Sequence, residues 1–296
     1  MSASIGGKEF YALKTFPTTG ERMRQYETAA LALAGQTVAK LELGRLANKI
    51  THVIVTSCTG FSAPGLDLQL VQRFGLNSSV ERTIIGFMGC YAAINALKLA
   101  RHIVRSAPGA KVLIVSIELC TLHFQLTDDL EQLLVFLLFA DGCAAALVSA
   151  EAEGLALERF YSALLPETAG QMAWHIGDGG FDMMLSGRVP ASLGAALRSQ
   201  SSQILAGAAP ADIDLWAVHP GGKSVLDAVE AAFGLPPAAL DTSRRILRMF
   251  GNMSSATVLF VLKAFLEERE REANGCAMAF GPGLTVETML FRIAGP

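Results

Sequence analysis

Apolar and polar residues follow two kinds of pattern in the first half of the chain. Between about residues 24 and 46, apolar residues recur at the spacing of an amphipathic helix. THVIVTSCTG, from Thr51, is a β-branched run ending in small residues and is typical of a buried strand. A helix over about 91–106, a strand KVLIVSIELC from Lys111 and a strand over 142–150 follow. These segments predict alternating helices and strands.

The second half of the chain repeats this plan. IDLWAVHPGG, residues 213–222, is an apolar strand that ends in small and polar residues, and a helix follows over about 224–233. Residues 251–272 begin with small residues and continue as a long amphipathic helix. Two apolar segments, 275–283 and 285–294, are predicted as the closing strands. Such alternation favours an α/β fold with parallel strand pairing.

The repeat divides the chain into two related halves, residues 1–150 and 151–296. Cys90 and Asn252 open equivalent helices in the two halves, and His219 follows an apolar strand. In open α/β sheets, functional sites form at the carboxyl ends of strands and at helix N-termini. We therefore expect these three side chains to share one site.

Composition narrows the class of protein. The chain has 296 residues, is 51% hydrophobic and carries a net charge of −3, which gives no reason to expect nucleic acid or an anionic membrane as a partner. The most apolar run, 133–140, is too short to span a bilayer, and the first residues lack the form of a secretory signal. The cysteines have no metal-ligand or disulfide spacing, so we expect a cytoplasmic protein without a metal site. They are Cys58, Cys90, Cys120, Cys143 and Cys276.

A cysteine, a histidine and an asparagine in this order indicate nucleophilic acyl chemistry. Cys90 follows a glycine and sits at the first turn of a predicted helix, where the helix dipole lowers the pKa of a thiol. Papain-like proteases use the same order, and the 129 residues from Cys90 to His219 fit their spacing. Their local cysteine signature is absent here, which disfavours a protease.

Four segments taken together resemble the type III polyketide synthases, the chalcone synthase-like branch of the thiolase fold. They are GFMGCYAA, WAVHPGGKSVLD, FGNMSSATVLFVL and AFGPGLTVET, and the resemblance runs from about Thr51 to the C-terminus. It implies a five-layer αβαβα fold built from two related halves. The initiating ketoacyl synthases of fatty-acid synthesis share the three polar residues and are the alternative condensing enzyme. They usually carry a glutamine-containing tetrapeptide where this chain has HPGG.

The resemblance assigns the catalytic roles. Cys90 matches the nucleophile that accepts an acyl group, and His219 and Asn252 match the pair that binds a thioester carbonyl. Decarboxylation of a malonyl thioester leaves an enolate oxygen, which side-chain N–H groups of His and Asn stabilise. We also expect His219 to pair with Cys90 and to hold it as a thiolate.

The resemblance also implies residues that bind substrate. Phe139 and Phe181 match two gate phenylalanines between a coenzyme A tunnel and the cavity, and the remaining candidates line or support the cavity wall. These are Cys58, Cys120, His123, Gly281, Pro282 and Gly283.

The implied activity is iterative, decarboxylative condensation of malonyl-CoA onto an acyl-CoA starter, followed by ring closure, with coenzyme A thioesters as substrates and no cofactor. The implied assembly is a homodimer that pairs through TGFSAPG, residues 59–65. Family members begin several dozen residues earlier, with a strand that we expect to be central in the first sheet. The first half is thus expected to be incomplete, with a gap in that sheet, and an inert truncated subunit is the alternative of a different class.

Overall fold

A computed structural model of the protein describes residues 10–11, 16–268 and 272–293. Strands and helices alternate through most of the described chain, as the sequence patterns predict. The helices are α1 Thr19–Ala39, α2 Leu66–Phe74, α3 Ala92–Ser106, α4 Leu130–Leu138, α5 Val189–Ser199, α6 Ser201–Ile204, α7 Lys223–Phe233, α8 Asp241–Phe250 and α9 Thr257–Glu267. The strands are β1 His52–Ser57, β2 Glu81–Gly86, β3 Val112–Leu119, β4 Asp141–Val148, β5 Leu155–Leu164, β6 Met172–Gly177, β7 Gly180–Leu185, β8 Leu215–Val218, β9 Ala273–Gly281 and β10 Thr285–Ile293.

Two four-stranded sheets share the arrangement of three of their strands. In the first sheet, with order β2-β1-β3-β4, β1 is parallel to β2 and β3, and β4 is antiparallel to β3. In the second, with order β5-β10-β9-β8, β8 is parallel to β9, and β10 is antiparallel to β9 and β5. The series β1, β3, β4 therefore matches β8, β9, β10. A separate hairpin, β6–β7, lies outside both sheets.

Three apolar cores arrange these elements in five layers. The central core joins residues of α3 and α9 with the inner faces of both sheets. A second core packs α1 and α2 on the outer face of the first sheet, and a third packs α5 and α7 on the outer face of the second. The predicted α/β class and the αβαβα layering are confirmed.

The helix ends explain where sequence and structure differ at α1. The pattern predicts a helix from about residue 24 to 46, but a capping box starts α1 earlier. The Thr18 side chain accepts from the Glu21 amide, and the Glu21 carboxylate accepts from the Thr18 amide at 2.8 Å. After Ala39 the chain turns, because Glu42 and Gly44 both adopt φ of 48°. The predicted helix over 251–272 likewise narrows to α9, and residues 269–271 lie outside the described chain.

The expected gap in the first sheet is wrong. β1 pairs along its length with β2 on one side and with β3 on the other, so the centre of this sheet is filled. Within the described ranges, the two sheets differ at both edges: β5 covers the outer side of β10 whereas the outer side of β4 has no strand, and β2 covers the outer side of β1 whereas the outer side of β8 has none. Within the same ranges, none of the helices is long and apolar enough to cross a bilayer.

Candidate active site

Cys90 is held at the start of α3 by an unusual turn. Phe87 and Gly89 have φ of 55° and 76°, and a short 3-10 turn, Gly89–Tyr91, leads into the helix. A Cβ added at Gly89 would lie 2.2 Å from the Cδ of Pro282, so only glycine fits between the two loops. The Gly89 amide donates to the Sγ of Cys58 at 3.0 Å. The nucleophile candidate therefore has a fixed backbone.

The thiol of Cys90 is protonated in this environment. Burial is the main cause that raises its pKa, to about 12, and the charge of Glu118 raises it further. A hydrogen bond to the Oγ of Ser254 at 3.5 Å acts in the opposite direction and lowers the pKa. The expectation of a helix-stabilised thiolate is therefore wrong for the free protein, since desolvation outweighs the position at a helix start. Cys90 needs a base when it reacts.

His219 follows β8 and faces the same cavity as Cys90. Its backbone amide donates to the Met278 carbonyl at 2.8 Å, which extends the pairing of β8 with β9. The ring is 1% exposed, and burial lowers its pKa to about 3, so the imidazole is neutral. Among the described residues, neither ring nitrogen has a hydrogen-bond partner. The expected Cys90–His219 hydrogen bond is thus absent, and the imidazole can serve a ligand.

Asn252 is oriented by its own neighbours. Its Oδ1 accepts from the Ser254 amide at 2.9 Å, and its Nδ2 donates one hydrogen to the Gly221 carbonyl at 3.3 Å. This pattern fixes the amide so that the second Nδ2 hydrogen is free for a ligand. The Asn252 backbone also pairs across the two halves with Leu138 and Ala140, at 3.0 and 2.8 Å.

A cavity of about 420 Å³ brings the three residues together. Cys90, His219 and Asn252 all contribute to its wall, as do Cys58, Cys120 and His123. Its remaining wall is largely apolar and includes residues of α4, of the β6–β7 hairpin, of the starts of α5 and α7, and of the end of β9 with the loop after it. A pocket with few polar groups at one end suits an acyl chain that carries a reactive carbonyl.

Phe139 lies where the two halves meet. It follows α4, forms a parallel bridge with Asn252 and lines the cavity. This placement is compatible with the gate role that the resemblance implies, because Phe139 lines the same cavity as Asn252 and its backbone pairs with that residue.

Phe181 does not line the cavity, which corrects its assignment as the second gate residue. Its ring is 1% exposed and stacks on His123, with the ring centroids 4.0 Å apart. Successive side chains of β7 point to opposite faces, so Phe181, Met183 and Leu185 share one face. Of these three, Met183 and Leu185 line the cavity.

His123 fastens the hairpin to the first half. Its Nε2 donates to the Thr59 carbonyl at 2.7 Å, and its Nδ1 accepts from the Phe181 amide at 3.0 Å. The Nδ1 bond requires the neutral ring, because a protonated Nδ1 cannot accept, and burial lowers the His123 pKa to about 4. Trp174 adds a bond from its Nε1 to the Cys58 carbonyl at 2.7 Å.

The loop over 281–283 supports the wall unevenly. Pro282 lines the cavity and packs on Gly89, whereas Gly281 and Gly283 do not reach it. Gly281 lies against the ring of Tyr91, where a Cβ would come within 2.7 Å of Cδ1. The two glycines therefore shape the turn that presents Pro282.

Glu118 is a buried acid that sequence reasoning missed. Its carboxylate accepts from the Cys58 amide at 2.9 Å and from the Thr59 hydroxyl at 3.0 Å, and also from Ser255. Burial raises its pKa to about 7. The sequence did carry a signal for this residue: Glu118 is the one acid among the eight residues of β3, all of which are buried. Glu118 ties the end of β1 to the turn that carries Ser254 and Ser255.

Among the described residues, no group of three or more His, Cys, Asp or Glu side chains could hold a metal ion. All five cysteines are free, and three of them line the cavity. The site can therefore offer a thiol, a neutral imidazole, an amide and an apolar wall.

Comparison with known proteins shows the family. Residues 14–152 match the profile of the chalcone and stilbene synthases, N-terminal domain, and residues 157–294 match that of the C-terminal domain. The chain belongs to the chalcone and stilbene synthase family.

Individual relatives agree with this assignment. The chain is 35% identical to the alpha-pyrone synthesis polyketide synthase-like Pks18 of Mycobacterium tuberculosis and 36% identical to the bisdemethoxycurcumin synthase of Oryza sativa subsp. japonica. Each alignment covers 93% of this chain and 74% of the relative. The type III polyketide synthase domain of Steely1 from Dictyostelium superposes with a TM-score of 0.88 at 27% identity, over 93% of this chain and 80% of that one. A polyketide synthase, PKS-I, from the brown alga Ectocarpus siliculosus gives 0.87 at 28%, over 97% and 79%.

Proposed function

We propose that the protein is an acyltransferase that extends an acyl-CoA starter with malonyl-CoA by repeated decarboxylative condensation and then closes a ring. The family assignment and the polyketide synthases among its relatives support this activity over that of a ketoacyl synthase. The observation that carries it is local: Cys90, His219 and Asn252 line one cavity, and the His219 ring nitrogens have no other described partner.

Loading comes first. The Cys90 thiol attacks the starter thioester, and the neutral His219 takes the thiol proton as the S–C bond forms. Coenzyme A leaves as its thiolate and recovers that proton. The pKa of the His219 imidazole is lowered to about 3, so this ring is a weak base. We therefore expect the bound thioester to orient the transfer of the thiol proton from Cys90 to His219.

Extension follows in the same cavity. Malonyl-CoA loses carbon dioxide and leaves an enolate, whose oxygen accepts from the His219 ring and from the free Nδ2 hydrogen of Asn252. The enolate carbon attacks the Cys90 thioester, the C–S bond breaks, and Cys90 leaves as the thiolate. The extended chain is now a thioester of coenzyme A, and the Cys90 thiolate attacks that thioester to reload the chain and expel coenzyme A for the next round. Each such donor is worth about 3 kcal/mol of transition-state stabilisation in a water-poor site.

A product screen tests the activity. The pure chain is incubated with malonyl-CoA and short, aromatic or long-chain acyl-CoA starters, and products are identified by mass spectrometry. We expect at least one starter to yield a product two or more carbons longer. Cys90→Ala should yield none, while Cys276→Ala, a buried thiol outside the cavity, serves as the matched control. No extension with any starter, and no acyl group on Cys90, would contradict the proposal and favour an inert subunit.

We also propose that the enzyme is a cytoplasmic homodimer paired through residues 59–65 and the neighbouring edge of the first sheet. β2 is an edge strand with exposed residues 81–84, and such an edge can pair with a second copy. Phe61, Ile84 and Met88 are exposed on the same part of the fold, 36–46% of each. Ala63 is small, so its own contribution to the contact is minor.

The proposed cytoplasmic location is based on the cysteines. The five free cysteines suit a reducing compartment.

Light scattering at micromolar concentration tests the dimer. We expect twice the chain mass of 31.4 kDa, and a monomer for Ile84→Lys. Leu164→Lys, at an exposed position of the second half, should leave the dimer intact. A monomeric unmodified chain would exclude this interface.

A further inference from the structure

An aromatic residue with a left-handed backbone stands directly before the turn that carries Cys90. Phe87 follows β2 and has φ of 55°, a region that residues with a Cβ rarely adopt. Six described residues other than glycine have positive φ, and Phe87 is the one aromatic residue among them. The approach to Asn252 differs, because the corresponding residue, Met249, belongs to α8 and is not one of the six. The strained backbone is therefore particular to the Cys90 turn.

The conformation of Phe87 directs the amides of the turn towards the end of β1. The Phe87 amide donates to the Ser57 carbonyl at 3.4 Å, and the Gly89 amide donates to the Sγ of Cys58 at 3.0 Å. A return of Phe87 to the usual negative φ would turn the next residues away from β1 and break the Gly89 bond. Because Cys90 follows Gly89 directly, its thiol would shift with the chain. The backbone of Phe87 thus decides where the thiol points.

Two aromatic rings hold the Phe87 ring in place. The centroid of the Phe61 ring lies 5.0 Å away, and the Phe181 ring meets Phe87 edge to face at 5.5 Å. Both distances lie in the range in which aromatic pairs attract each other. The Phe181 ring is itself fixed, since it is fully buried and stacks on His123. These contacts therefore oppose relaxation of the Phe87 backbone.

We propose that Phe87 is a positioning residue, whose packed ring holds the left-handed turn that aims the Cys90 thiol into the cavity. Phe61 and Phe181 supply the packing. This inference rests on the proposed function, in which Cys90 accepts the acyl group. Phe87 does not line the active-site cavity, whereas Cys90 does. The ring of Phe87 therefore acts on the reaction through the position of the thiol and not by contact with the substrate.

Three variants of Phe87 separate the backbone conformation from simple packing. Phe87→Tyr keeps the ring, Phe87→Leu removes the ring and keeps the unfavourable φ, and Phe87→Gly removes the ring but accepts positive φ freely. If the ring serves to hold the backbone, transfer of the starter to Cys90 should be fastest in Phe87→Tyr, slower in Phe87→Gly and slowest in Phe87→Leu. A residue that only fills space would reverse the last two, because leucine fills more of the space that the ring leaves.

Two partial reactions give the readout. Starter transfer is measured by intact mass, and decarboxylation of malonyl-CoA by release of labelled carbon dioxide. A reacting atom displaced by about 1 Å can cost about 10²-fold, so transfer at saturating starter should fall about 10- to 100-fold in Phe87→Leu, with KM changed less than about threefold. Decarboxylation uses His219 and Asn252 and should stay within about threefold of the unmodified rate. Equal loss of both activities, or faster transfer in Phe87→Leu than in Phe87→Gly, would overturn the proposal.

Phe160→Leu is the matched control for Phe87→Leu. Phe160 is a partly buried residue of β5 that packs on the central core and does not line the cavity, so both partial reactions should be unchanged. Phe61→Leu removes one supporting ring at a position that is 40% exposed, where the fold tolerates the change. Since one aromatic pair is worth about a two- to tenfold factor, transfer should fall by that amount in Phe61→Leu. An unchanged rate of transfer there would contradict the proposed packing.

Hydrogen exchange tests the turn without reference to activity. The Gly89 amide is bonded to Cys58 and buried, so it should exchange slowly in the unmodified chain. In Phe87→Leu we expect it to exchange about fivefold faster or more, and in Phe87→Tyr at the unmodified rate. Unaltered exchange in Phe87→Leu would overturn the proposal. Faster exchange in that variant, together with an unmodified chain that transfers no starter, would contradict the proposed function while supporting the role of Phe87 in the turn.

Discussion

The helix starts that carry Cys90 and Asn252 are built alike but hold their side chains differently. Each is reached through a glycine with positive φ, 76° at Gly89 and 72° at Gly251, and each leads through a 3-10 turn into a helix of the central layer. The Cys90 thiol is buried and donates to Ser254, whereas Asn252 keeps one amide hydrogen free beside the unpartnered His219. In the proposed mechanism, one architecture therefore supplies a covalent acceptor in the first half and oxyanion donors in the second.

The largest effect that separates the two halves is expected for Cys90→Ala. Loading needs the thiol, so chain extension should fall by more than about 10³-fold. Decarboxylation of malonyl-CoA needs only the donors of the second half, so part of it should remain. Both are measured in one assay, by product formation and by release of labelled carbon dioxide. Equal loss of the two activities would contradict this division of labour.

Asn252→Ala tests the opposite end of the site. Removing one oxyanion donor costs about 3 kcal/mol, so malonyl decarboxylation should fall about 10²-fold or more. Transfer of the starter to Cys90, measured by intact mass at short times, should fall much less if the amide acts mainly on the enolate. A variant that loads no starter yet decarboxylates normally would reverse the assignment.

The two glycines give a matched test of the scaffold. Gly89→Ala places a Cβ 2.2 Å from Pro282 in addition to the unfavourable φ, so we expect a loss of about 3 kcal/mol in the free energy of unfolding. For Gly251→Ala the nearest atom is the Cβ of Ala140 at 3.0 Å, and a loss of about 1–2 kcal/mol is expected. Denaturant unfolding of both variants decides whether the turn at Cys90 is the tighter one.

Glu118→Gln should produce the smallest effect, a shift in the reactivity of Cys90. The charge of Glu118 raises the pKa of the thiol, and Glu118 ionises as pH rises through about 7. Removing that charge lowers the pKa of Cys90, so the pH profile of its alkylation should move to lower pH, with a rate about two- to tenfold higher near pH 8. An unchanged or upward-shifted profile would exclude this coupling.

Much of this architecture could be predicted because it follows from strand ends and helix starts. Cys90 and Asn252 each precede a recognisable helix and His219 follows an apolar strand, and the repeat of those segments predicts that the three lie together. The hairpin β6–β7 and the edge strand β2 have weak patterns and were missed. Their side chains pack on rings or remain exposed rather than forming a continuous apolar run.

The errors at the site concern side-chain placement. Phe181 and Met183 share one face of β7, and a pattern of alternation alone cannot say which of them reaches the cavity. The protonated state of Cys90 depends on burial from all sides, which a helix start does not reveal. Whether the first sheet has a gap depends on the order of its strands. That order is set by pairing between segments that are distant in the sequence.

The most direct test of the account is to find which atom accepts the acyl group. The unmodified chain is incubated with decanoyl-CoA and, separately, acetyl-CoA, quenched in acid and digested, and the peptides are analysed by mass spectrometry. The account predicts one acyl group on Cys90 and none on Cys58 or Cys120, although all three thiols line the same cavity. An acyl group on either of the other cysteines, with Cys90 free, would contradict it.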